Sequence, residues 1–134
     1  MREYRIEAHR VNAHGAVATT KAAQIELDTD PAGRVDAFNP AELLLASVAA
    51  CMIKGIERVA PMLHFEFDGA SIEIMGVRQD NRPKMISIYY VLTAKTHETD
   101  QRLELLHRNI RKYGTISNTV AAATELNGII RRQA

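Results

Sequence analysis

The stretch that most restricts the fold is the run Leu43 to Ile53, apolar apart from Ser47. It is prepared as a helix. Asn39 can cap it, and Pro40 suits the first helical position, where its missing N–H has no partner to lose. Glu42, three residues after Asn39, can reach back to the cap N–H and meets the positive end of the helix dipole. A helix apolar nearly all round must be enclosed rather than laid on a surface. It is too short to span a bilayer. Its small residues allow other elements to approach closely. Lys54, Glu57 and Arg58 restore an amphipathic pattern, and Pro61 is expected to end the helix.

The 134-residue length fits one domain over 1–134, and 46% hydrophobic residues suffice for a core built on Leu, Ile, Val, Met and Ala, since tryptophan is absent. Tyr4, Ile6 and Ala8 alternate with polar residues as in a strand with one buried face. Ala16 to Leu27 reads as one or two strands, and Asp28 to Phe38 as a loop. After the helix, Phe65, Phe67, Ile72 and Ile74 suggest a strand whose phase shifts at Gly69. Ile86 to Leu92 alternates again. A second helix is expected from about Asp100 to Lys112, on the stripe Leu103, Leu106 and Ile110. Ser117 or Asn118 can cap a short third helix, and Leu126 to Arg131 can close the fold as a strand. The class is therefore α+β.

Charge is nearly balanced, with 17 basic and 16 acidic residues. That gives no electrostatic case for a nucleic-acid partner, which normally needs a basic face. Arg108, Arg111, Lys112, Arg131 and Arg132 read as solvated faces. Met1 to Ala8 lacks a signal-peptide core, and one cysteine cannot form an intrachain disulfide. The cytoplasm is the expected location, with no membrane partner. The histidines at 9, 14, 64, 97 and 107 match no metal-ligand spacing, so no metal or other cofactor is expected.

Cys51 is the one candidate nucleophile. A buried cysteine is commonly just a small hydrophobe. Lys54 and Arg58, at i+3 and i+7, share its helix face, and nearby cations stabilise thiolate. Desolvation acts in the opposite direction. Both readings stay open at this point.

The run Asn39-Pro40-Ala41-Glu42-Leu43-Leu44-Leu45-Ala46-Ser47-Val48-Ala49-Ala50-Cys51 resembles the cysteine helix of the OsmC/Ohr family, the osmotically induced and organic hydroperoxide resistance proteins. The order of elements matches over essentially the whole chain. The resemblance implies an OsmC-like fold, with antiparallel sheets around a buried central cysteine-bearing helix in an intertwined homodimer. It also implies peroxidase chemistry on organic hydroperoxides or hydrogen peroxide. Cys51 matches the peroxidatic cysteine. The second, resolving cysteine falls at Gly114 in Lys112-Tyr113-Gly114-Thr115-Ile116-Ser117. The family's activating arginine falls near Asn12, with Arg10 close by. The carboxylate partnering that arginine falls at Ala41, with Glu42 adjacent.

These residues give two expectations. In the first, Cys51 is a one-cysteine peroxidatic thiol, held by Lys54, Arg58 or Arg10 and reduced by an external thiol, with Glu42 as a candidate catalytic carboxylate. In the second, the chain is a non-catalytic scaffold that binds an apolar ligand or a protein partner.

Overall fold

The capped apolar run becomes one long helix in the computed structural model, which describes residues 1–133. The elements are β1 (Glu7–Asn12), β2 (Gly15–Thr20), β3 (Ala23–Asp28), α1 (Pro40–Leu63), β4 (Gly69–Gln79), β5 (Lys84–Lys95), α2 (Asp100–Tyr113), α3 (Thr115–Ala121) and β6 (Glu125–Gln133). At the start of α1 the Asn39 side chain accepts from Glu42 N–H at 2.8 Å, and Glu42 accepts from Asn39 N–H at 2.9 Å. This reciprocal box satisfies two otherwise unpaired donors.

Pro61 does not end the helix. It sits inside the last turn, and the stop is a left-handed residue, His64, at φ 52°. The His64 N–H reaches Pro61 O at 3.3 Å and the Phe65 N–H reaches Ala60 O at 2.8 Å. That pair of bonds closes a helix C-terminus by a left-handed turn. Phe65, expected in a strand, is instead the buried plug behind this turn.

The chain divides into two compact units, Met1–Leu44 and Leu45 onward, with α1 beginning in the first and continuing in the second. The first unit holds an antiparallel meander ordered β1-β2-β3. The strand expected with a buried face begins at Glu7, and all six of its residues are exposed. After β3 the Asp28 carboxylate accepts from the Asp30 and Arg34 N–H groups, fixing the loop that leads to α1.

The second unit holds a sheet ordered β4-β5-β6. β4 and β5 pair antiparallel, with a bulge at Val77/Arg78 rather than at Gly69. β5 and β6 pair parallel, which departs from the all-antiparallel expectation. Parallel neighbours need a long crossover, and α2 with α3 supplies it. Ile88, Tyr90, Leu92 and Ala94 of β5 are buried with Leu126 and Ile130 of β6. Gly128 stands opposite Tyr90, where a Cβ would lie 2.4 Å from both Tyr90 Cγ and Tyr90 O. Only glycine leaves room for that ring.

Candidate functional site

Cys51 lies at the middle of α1, beside the buried stripe of Val48, Met52 and Gly55, and is itself half-buried. Gly55 lets α2 come close. A Cβ there would stand 3.2 Å from Ile110 Cγ2. The end of α2 is thereby carried over the thiol, and the chain bends at Gly114 into α3. Gly114 is buried, and a Cβ on it would lie 3.2 Å from Cys51 Sγ, 3.1 Å from Ser117 Oγ and 3.0 Å from Ile110 O. Its φ of −81° is open to any residue, so it does not act as a left-handed cap.

Ser117 is 1% exposed, and its Oγ is 4.0 Å from Cys51 Sγ. The sequence suggested Ser117 as a cap. In the structure Gly114 occupies the N-cap position of α3 with no side-chain bond, and Ser117 turns its hydroxyl to the thiol. The signal for this was its spacing of three from Gly114, one helical turn, which brings both positions to the same neighbour.

Arg58 donates from Nη1 to Tyr113 O at 3.2 Å, tying the C-terminus of α2 to α1 just before Gly114. Lys54 is exposed on α1. Glu42 is engaged in the helix cap. Arg10 is exposed on β1, in register with Ala16. Elsewhere in its unit Arg34 is held by two carboxylates, Asp36 at 2.8 Å and Glu26 at 3.7 Å.

A second cluster of titratable side chains joins β5 to α2. Tyr90 OH lies 2.6 Å from His107 Nε2, and Arg111 Nη1 donates to the same oxygen at 3.2 Å. Arginine has no acceptor, so each proton finds a partner when the phenol donates to neutral His107. Burial pushes the Tyr90 phenol up and the His107 imidazole down from their ordinary values. Among the described residues no group of three or more His, Cys, Asp or Glu side chains is placed to hold a metal ion. Nor is any helix among them long and apolar enough to cross a membrane.

Residues 31–127 match the family model described as OsmC-like protein. The chain belongs to the OsmC-like family. This OsmC-like protein superposes on the OsmC-like protein of Mycoplasma pneumoniae with a TM-score of 0.91 at 19% identity, over 99% of both chains. An organic hydroperoxide resistance protein from Legionella pneumophila, also described as a predicted redox protein, gives 0.72 at 18% identity over 97% of both chains. One from Elizabethkingia anophelis gives 0.77 at 14% identity, over 98% of this chain and 99% of that one. At these identities the likeness establishes the OsmC-like α+β fold. No curated protein sequence matches the chain.

Proposed function

We propose that this OsmC-like protein is a one-cysteine thiol peroxidase working as a homodimer in a reducing compartment, the cytoplasm. The observation that carries the reading is the convergence of Gly114 and Cys51. The position where the family resemblance expects a second thiol brings its Cβ direction to 3.2 Å from Cys51 Sγ. That closeness supports a two-thiol arrangement from which one thiol is absent. The hydroperoxide resistance proteins among its structural relatives support the same substrate class.

In this reading the Cys51 thiolate attacks the distal oxygen of a hydroperoxide. The S–O bond forms, the O–O bond breaks, and the alkoxide leaves and takes up a proton as alcohol. Cys51 becomes sulfenic acid. An external thiol then attacks the sulfur, releasing water and forming a mixed disulfide, and a second equivalent restores the Cys51 thiol. Arg58 would act by holding Tyr113, and so Gly114, over the sulfur.

The deciding experiment is mass spectrometry after a brief exposure to an organic hydroperoxide, paired with a dithiol-dependent turnover assay. Selective addition of one oxygen at Cys51, and turnover abolished in Cys51→Ser with the fold retained, is the expected result. An inert Cys51 would sink the enzyme reading in favour of a ligand-binding scaffold. Activity surviving in Cys51→Ser would place the chemistry elsewhere.

A further inference from the structure

The Ser117 side chain is fully buried, and among the described residues its hydroxyl has one hydrogen-bonding neighbour, Cys51 Sγ at 4.0 Å. Burying a hydroxyl without a good acceptor costs free energy. Thiol sulfur is a weak acceptor, and 4.0 Å is the outer limit of such a contact. The reduced state therefore leaves this hydroxyl poorly served.

Adding one oxygen to the sulfur changes that. An oxygen bonded to Sγ and turned toward Ser117 would stand between the two atoms, at about the 2.5–3.0 Å typical of O–H···O bonds. If it is ionised, the bond is charge-assisted. Resting on the reading of Cys51 as a peroxidatic thiol, we propose that Ser117 is a positioning residue for the oxidised state. Its hydroxyl binds the Cys51 sulfenic oxygen and preserves that intermediate in a chain with no second thiol to trap it.

Two consequences follow from the bond. The donor draws electron density from the sulfenate, whose sulfur is the nucleophile in over-oxidation. That reaction consumes a second hydroperoxide, yielding sulfinic acid and alcohol. The bond also points the S–O bond toward the buried hydroxyl. An external thiol attacks the sulfur opposite the departing oxygen, so this side is left to it.

The test is the partition of Cys51 after graded hydroperoxide pulses, read by intact mass with a sulfenic-acid-selective nucleophile in parallel. Wild type should accumulate trappable sulfenic acid. Ser117→Ala should raise the ratio of sulfinic to sulfenic product roughly tenfold at matched peroxide, the scale of losing one hydrogen bond to a charged group. Ser117→Thr, which keeps the hydroxyl, should return the ratio toward wild type. A purely structural role would move melting temperature but not this partition. An unchanged ratio in Ser117→Ala, with sulfenic acid formed normally in wild type, overturns the role of Ser117 alone. Absence of sulfenic acid in wild type overturns the peroxidatic reading and this inference together.

Discussion

At the scale of single residues, Gly114 is the position where a small change should have the largest chemical effect. Across a disulfide, a Cβ and the far sulfur are about 3 Å apart, as follows from an S–S bond of about 2.05 Å. The Cβ direction of Gly114 ends 3.2 Å from Cys51 Sγ. Its backbone, at φ −81° and ψ 111°, carries a side chain without strain. Gly114→Cys should therefore form an intramolecular disulfide on mild oxidation and raise dithiol-dependent turnover. Non-reducing mass analysis would report a loss of two hydrogens joining the two peptides. The opposing effect is crowding, since Ile110 O and Ser117 Oγ would lie 3.0 and 3.1 Å from the new Cβ. If crowding wins, the introduced thiol stays free while Cys51 is oxidised alone. Cys51 was legible because a cysteine in a capped, apolar helix is a local pattern. Ser117 was not, because its partner lies sixty-six positions away, and only the docking of α2 on α1 at Gly55 brings them together.

At the scale of elements, α2 is joined to β5 by Tyr90, His107 and Arg111, and this junction should respond to pH. Burial is the main reason the His107 pKa lies low. Glu104 opposes the shift and Arg111 adds to it. Between that lowered value and about 6.5, the unfolded chain binds a proton that the folded one refuses. Stability is therefore complete above about 6.5 and falls as pH drops through this window. Protonated His107 would also leave the Tyr90 phenol between two cations, with its own proton unpaired. Melting temperature followed from about pH 7.5 to 5 should decline, and His107→Gln should flatten the decline, since glutamine keeps an acceptor but does not titrate. A decline that persists in His107→Gln would assign it to other groups. Asp30, Asp36 and Glu98 are held below the usual carboxylate range by hydrogen bonds, and their effect falls in a separate window below about pH 4. Elements whose signals are local were legible. The α1 cap and the α2 stripe both stand where the sequence put them, with α2 at Asp100–Tyr113 and the buried residues Leu103, Leu106 and Ile110. The end of α1 was not legible, because a left-handed histidine carries no sequence signature as strong as Pro61. The parallel β5–β6 pairing was hidden for a different reason: alternation marks a strand but not the direction of its neighbour.

At the scale of the whole molecule, the N-terminal sheet exposes apolar side chains. Ala8, Ala18 and Ile25 are in register across its strands and so share one face. Ile6, Ala18, Ala23 and Ile25 line an apolar depression. Yet Ile25 is 51% exposed and Ile6 63%. Three strands with this little buried surface are poorly stabilised without a covering layer. A second copy of the chain is the covering that the family resemblance implies, and each such side chain withdrawn from water contributes about 1.5–3 kcal/mol. Light scattering should therefore give twice the chain mass at micromolar concentration. Because folding and association would be linked, melting temperature should rise with protein concentration. Ile25→Asp places a charge on the floor of the depression, where burial without a partner is costly. It should lower the apparent mass toward that of one chain, or lower the melting temperature and steepen its concentration dependence. A wild-type monomer whose melting point ignores concentration would remove the dimer. An Ile25→Asp protein that stays dimeric and equally stable would move the interface away from this face.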